Sequence, residues 1–443
     1  MNFINTILSV FSTRIAEKFI RQINSIIISR FLGPSGLGIY TLFFALVKNL
    51  YTFSEFGMGA AGIYFIRRKS SEKNKIIENA ALFSIITSIF LSFLVFIFRE
   101  KISIFLLDKQ SFFVLLISLV IPIIMISTIF STLIRGMKEF RIFNIFTIIR
   151  PVCFFVFLFF AIILYNGDVV DAIIGQIVAI TVSGFWLLYV VKTKTSFKLK
   201  FHKLLFLENL KYGIKQHFLK IVMMILSTSP LYILKGLTSN EIVGQYGIIL
   251  TVLGIISFFK ISISLVLTPK VSDLKNKDVH LLIAKVVRNS FFILTLVSLL
   301  AFILGPFYVE LLYGEKFEYA SKAFRWFLPG IVLHSVCVML HRDFTAREIP
   351  VQYKAIFAYM IGAIISIFVS YFLVSHYSRY PLEALGISYN LSYFITFLIL
   401  STLFIFDSRL NIKSIFLLDK NDILFYIKSL KIIYNKIIYY VSK

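Results

Sequence analysis

Charged side chains recur inside stretches that are otherwise apolar, and their types and spacing decide what chemistry the chain can host. Arg14, Lys18 and Arg21 stand at i, i+4 and i+7, which places them on one face of a helix, and Ser25 continues the stripe. Lys48 lies near the centre of a second apolar stretch, with Glu55 seven residues on. Further along, His217, Lys220, Lys260 and Arg325 repeat the theme. Together they describe a mostly cationic interior. Charges in apolar surroundings are costly, so such residues face a cavity or a partner. Arg and Lys compensate phosphate charge where water is scarce, and Arg does so bidentately. The chemistry this points to is the holding of a phosphate-bearing anion.

Each residue also has a plainer reading. The first basic stripe could lie at an interface and snorkel, and Glu17 is spaced to neutralise Arg14 or Arg21. Glu17 and Glu55 are the only carboxylates well placed inside apolar stretches, so coupling to a proton or sodium gradient would involve one of them; otherwise each is a structural ion pair. The 22 Tyr and 50 Phe could stack on sugars or contact a prenyl tail. They carry little weight, because Phe is also the common lipid-facing residue and Tyr the common interfacial one. No phosphate-binding glycine loop, paired-carboxylate DxD string or HExxH metal motif is present, so no catalytic residue, metal ligand or resident cofactor is expected. Cys153 and Cys337 have no metal or redox spacing and read as small buried residues. The chain is not expected to be an enzyme.

The elements that must position these side chains are long and apolar. Of 443 residues, 58% are hydrophobic and 15% charged, far from the balance of a soluble domain. Twelve candidate spans fall near residues 7 to 30, 37 to 57, 79 to 98, 112 to 134, 145 to 165, 171 to 191, 214 to 234, 242 to 268, 285 to 304, 321 to 341, 352 to 374 and 384 to 406. Each supplies roughly twenty residues, enough to cross a hydrocarbon layer as a helix. The expected fold is an all-α integral membrane protein of about twelve transmembrane helices in two six-helix lobes.

Lys and Arg concentrate in the even loops, from Arg67, Arg68, Lys69, Lys73 and Lys75 onward, while the odd loops are poor in cations. Positive loops stay cytoplasmic, so both termini are expected there. The same distribution accounts for the net charge of +24 through retention and contact with anionic headgroups, and nucleic acid is not an expected partner. The N-terminus, MNFINTILSV, lacks a basic n-region and is not read as a removable signal.

A shift of 206 to 207 residues superposes Arg14 on Lys220, Tyr40 on Tyr246, Pro122 on Pro329 and Arg135 on Arg342. The string LGPSGLGIYTLFFALV likewise resembles LTSNEIVGQYGIILTV. Two repeats of six spans would be related by an axis along the membrane normal. The expected organisation is therefore a lobe over 1–191, a basic cytoplasmic linker over 192–213, a second lobe over 214–406 and a basic amphipathic tail over 407–443.

From Ile28 to Arg68 the chain reads ISRFLGPSGLGIYTLFFALVKNLYTFSEFGMGAAGIYFIRR, and here it resembles the Wzx-type polysaccharide flippases of the MOP exporter superfamily, whose relatives include MATE and MurJ proteins. The family's R-x-L-G-P-x-x-x-G-x-Y turn is supplied by Arg30, Leu32, Gly33, Pro34, Gly38 and Tyr40. Its D/E-x-G-x-G string is supplied by Glu55, Gly57 and Gly59. LIRGMKEFRIFNIF, from Leu133 to Phe146, is similar to the family's junction between helices four and five.

The resemblance implies two six-helix lobes around a central cavity that opens to one side at a time, in a bacterial cytoplasmic membrane. It also implies an undecaprenyl-diphosphate-linked oligosaccharide, an O-antigen or capsular repeat unit, as cargo. Membrane lipids, a polymerase and glycosyltransferases are the partners it suggests, and a monomer the working unit. A MATE-like drug antiporter would favour acidic cavity residues, and a MurJ-like lipid II flippase two further helices. The cationic residues proposed to line the cavity are Arg14, Lys18, Arg21, Lys48, Lys220, Lys260 and Arg325. Pro122, Pro230 and Pro329 would allow the bending that alternating exposure requires.

Overall fold

Within hydrocarbon no water is available to backbone N–H and C=O groups, so long apolar segments satisfy them along a helix. The computed structural model describes residues 3–106, 110–196, 198–258, 276–346, 351–420, 422–424 and 426, and among them the regular structure is helical. The first half contains α1 (Phe3–Ser54), α2 (Met58–Arg68), α3 (Lys73–Ile97), α4 (Arg99–Leu106), α5 (Ser111–Gly136), α6 (Phe140–Leu158) and α7 (Val169–Lys194). The second contains α8 (Lys203–Leu237), α9 (Asn240–Ile256), α10 (Asn276–Tyr313), α11 (Glu318–Ala323), α12 (Leu328–Ala346), α13 (Gln352–His376) and α14 (Pro381–Ser408), followed by α15 (Ile412–Phe416).

Ten helical segments among the described residues are long and apolar enough to cross a membrane. Two features separate this number from the twelve spans expected. Spans one and two share α1, which breaks at Gly33 (φ 64°) ahead of Pro34. Span eight corresponds to α9, which has 17 residues, and the rest of that expected span runs into residues 259–275, outside the described residues. The chain is a multi-pass membrane protein. Large apolar side chains such as Phe90, Phe307 and Phe368 are exposed, as a lipid-facing surface requires.

Other boundaries shift for physical reasons. α8 begins at Lys203, inside the segment read as linker, because KLLFLENLKYGIK carries enough apolar residues to keep a helix going past the membrane boundary. Span ten is entered through short helical turns over 315–327, and Pro329 sits in the first turn of α12, where its missing N–H costs no helical bond. Of the expected amphipathic tail, α15 is formed, while 427–443 lie outside the described residues.

In the first half α3 packs on α5 and α6 on α7; in the second α8 and α14 flank α13. The halves meet chiefly where α1 packs on α9 and α2 on α8. At the α1–α9 seam the contact is reciprocal. A Cβ on Gly38 would lie 2.0 Å from the Asn240 carbonyl oxygen, and one on Gly244 would lie 1.8 Å from that of Pro34. Gly244 follows Gly38, and Asn240 follows Pro34, by the same 206 residues that relate the sequence repeats. Only glycine admits backbone this close.

Candidate functional site

A cavity of about 780 Å³ lies between the first part of α1 and α9, with α6, α7 and α10 adding one or two residues each. Lys18, Arg21 and Ser25 line it from the first basic stripe, and Tyr40 and Lys48 from the second part of α1. Gln22, Asn24, Thr41, Gln176 and Thr251 add polar groups, and Ile28, Phe44, Phe154 and Leu250 apolar ones. Among the described residues no carboxylate lines it.

The first helical stripe divides its work. Glu17, 7% exposed, bonds two arginines at once: Arg14 Nη1 at 2.7 Å and Arg21 Nε at 2.8 Å. Arg14 also stacks over Phe143 at 5.0 Å and does not line the cavity. Its charge is therefore engaged by Glu17 and Phe143, within the first half of the chain. Lys18, one residue beyond Glu17, faces the cavity beside α9, as does Lys48, which is exposed to that space. Neither lysine makes an ion pair among the described residues. Both ammonium groups therefore face the cavity without an acidic partner among the described residues.

Sequence reasoning passed over Arg150. It lies in α6 beside Pro151, a cavity residue whose carbonyl accepts from Asn24 Nδ2 at 2.9 Å. With the Gln176 amide turned so that its oxygen faces Arg150, it accepts from Nε at 2.9 Å and Nη2 at 3.3 Å, leaving its nitrogen toward the Tyr40 hydroxyl. Arg150 thus orders two lining side chains. The signal was there, a lone arginine inside an apolar span, but nothing local tied it to the first helix.

The remaining sequence candidates sit elsewhere. Lys220 pairs with the buried Glu55 across the α1–α8 contact, and His217 Nε2 lies 3.1 Å from the Phe53 carbonyl oxygen. Arg325 donates to the Phe302 carbonyl at 2.9 Å and stacks over that ring, outside the cavity lining. Lys260 lies outside the described residues. Lys18, Arg21 and Lys48 thus line one cavity, whereas Arg14, Lys220 and Arg325 are not part of its lining.

Both ends of the contact between the two halves are fastened. At one, Arg30 donates to the carbonyls of Leu312 (2.7 Å) and Leu311 (2.6 Å), capping the C-terminal end of α10 next to the glycine seam. At the other, Asn49 Nδ2 reaches Thr228 (3.1 Å) and Tyr232 (2.9 Å), and Gly57, at φ 71°, lies against the backbone of Gly213. Arg30 and Gly57 belong to the two motifs quoted above, so those motifs fasten the first half of the chain to the second.

A helical bundle that crosses the membrane many times and holds, where its two halves meet, a cavity with cationic and polar groups set among apolar ones has the build of a membrane transporter. The chain belongs to the polysaccharide biosynthesis protein family, which residues 3–275 match. It is 30% identical over 173 residues to a candidate O-antigen transporter of Shigella flexneri, a match covering 36% of this chain and 41% of the relative. The match thus spans less than half of that relative's length. Its fold is similar to a multidrug resistance MATE family transporter of the MOP superfamily in an inward-facing conformation, with TM-score 0.73, 15% identity, and 88% of this chain and 94% of the other covered. It is equally similar to the lipid II flippase MurJ in an inward closed conformation, with TM-score 0.73, 15% identity, and 91% and 88% covered.

Proposed function

We propose that this protein is a flippase that carries a lipid-linked oligosaccharide, an undecaprenyl-diphosphate-linked O-antigen or capsular repeat unit, across a bacterial cytoplasmic membrane by alternating access. One observation carries the reading: the cavity presents Lys18, Arg21 and Lys48 and no described carboxylate. A diphosphate needs such compensation, whereas a cationic drug would be repelled. The family and the Shigella relative's name support the same direction. The role takes twelve crossings with both termini cytoplasmic, the α1 break and α9 supplying the two beyond the ten long segments. It needs no covalent chemistry. The working unit is a monomer supplied by glycosyltransferases and drained by a polymerase. Because Glu17 is engaged by two arginines within one helix while Glu55 bridges the lobes, Glu55 is the better candidate for coupling to an ion gradient.

The test is deletion of the gene in its own host, measuring lipid-linked oligosaccharide on the inner face together with polymerised surface glycan. Inner accumulation with surface loss, reversed by the intact gene, is expected. Lys48→Ala should restore export about tenfold less well at equal membrane abundance, the loss expected for one charge-assisted bond. Unchanged surface glycan with altered drug sensitivity would transfer the protein to the drug-exporter class.

A further inference from the structure

A second cavity, of about 420 Å³, lies where the ends of α2, α5 and α7 meet the start of α3, on the face that the loop charges mark as cytoplasmic. Arg67, Lys73, Lys138 and Lys194 line it, with Ser70 and a single carboxylate, Glu139. That carboxylate lies 3.5 Å from Lys194. Neighbouring cations are occupied: Lys69 pairs with Glu208 at 2.6 Å, Lys75 with Glu72 at 3.2 Å, and Arg68 and Arg135 stack over Tyr64 and Phe143. Among the described residues Arg67, Lys73 and Lys138 have no acidic partner, and they share one cavity. Like charges gathered around a hollow repel one another unless an anion fills it.

The backbone singles out Lys138. α5 ends in a Schellman turn, with the Glu139 N–H donating to the Ile134 carbonyl and the Lys138 N–H to that of Arg135, both at 3.1 Å. The residue between must turn left-handed, and Lys138 does so at φ 62°. Glycine is favoured at such a position; a lysine here trades local comfort for a charge at the cavity.

We propose that this pocket binds the phosphate of an anionic phospholipid headgroup, independently of the substrate cavity. Phosphate is the chemistry that three converging cations and a serine hydroxyl recognise. Its place at the ends of membrane-embedded helices, with apolar Ile66 beside it, favours a lipid over a soluble source.

The full-length protein in detergent and in phosphatidylcholine nanodiscs tests this, with labelled phosphatidylglycerol and inorganic phosphate as separate probes. Preferential retention of phosphatidylglycerol over phosphatidylcholine is expected. Lys138→Gly should weaken it about fivefold, with a melting temperature no lower than that of the parent, because glycine suits φ 62°. The triple variant Arg67→Gln, Lys73→Gln, Lys138→Gln should abolish the preference. Displacement of the lipid by phosphate would show that the phosphate group alone is recognised within the same site. Equal lipid retention by the parent and folded Lys138→Gly, or phosphate binding without lipid retention, would overturn the proposal.

Discussion

Glu17 shows how one residue assigns roles to its neighbours. Its partners at i−3 and i+4 were legible from spacing, because helical geometry alone brings them within reach. With Arg14 and Arg21 tied to it, Lys18 is the cation left free on that stretch of helix. Replacing Glu17 by Gln should release both guanidinium groups and lower stability by about 1–3 kcal/mol, read as a fall in melting temperature in detergent. Arg150 was not legible in the same way, for its partner Gln176, and the Tyr40 hydroxyl next to that amide, come from other helices. Spacing reveals contacts within a helix; contacts between helices depend on packing.

At the scale of elements, the helices themselves were plain in the sequence because apolar length forces them, while their ends depended on caps and breaks. Arg30 closes the end of α10 through two carbonyls. Arg30→Ala should lower the melting temperature, and Arg30→Lys should recover only part of the loss, since an ammonium lacks the planar fork that serves two acceptors. The segment after α14 is held to α10 by Arg288, which bonds the Ser414 carbonyl at 2.7 Å, Asp419 at 2.9 Å and Asp422 at 2.5 Å. Burial pushes the Asp422 carboxyl up, but hydrogen bonds from Asn289 and Arg288 outweigh it and hold it below the usual aspartate range. A group so depressed adds stability that is fully present above the unfolded value, near pH 4, and is lost as pH falls through the lower folded value. Proteolysis after Ser408 should therefore stay slow from neutral pH down to about pH 4. Asp422→Asn should accelerate it at pH 7.

For the whole molecule, the 206-residue offset pairs positions of the two halves, yet how the halves touch was beyond the sequence. The offset relates positions; it does not say which face each half presents. Lys220 illustrates the gap: its repeat equivalent is Arg14, but Arg14 bonds within its own helix whereas Lys220 crosses to Glu55. On the function proposed above, Glu55→Lys and Lys220→Glu should each reduce export and the double reversal should restore much of it, as assayed by surface glycan.

The mirrored glycine contacts at Gly38 and Gly244 make the seam self-complementary. Each half carries both the glycine and the backbone that receives one, so a single such half would be complementary to its own copy, as in a two-fold homodimer. The covalent connection between Thr195 and His202 is itself bonded to α3, the Lys198 N–H donating to Glu78 at 2.7 Å and the His202 N–H to Asn79 Oδ1 at 2.9 Å, so it adds specificity as well as proximity. Two polypeptides made separately, divided between Lys200 and Phe201, should still find each other in the membrane, read as co-purification of one through a tag on the other.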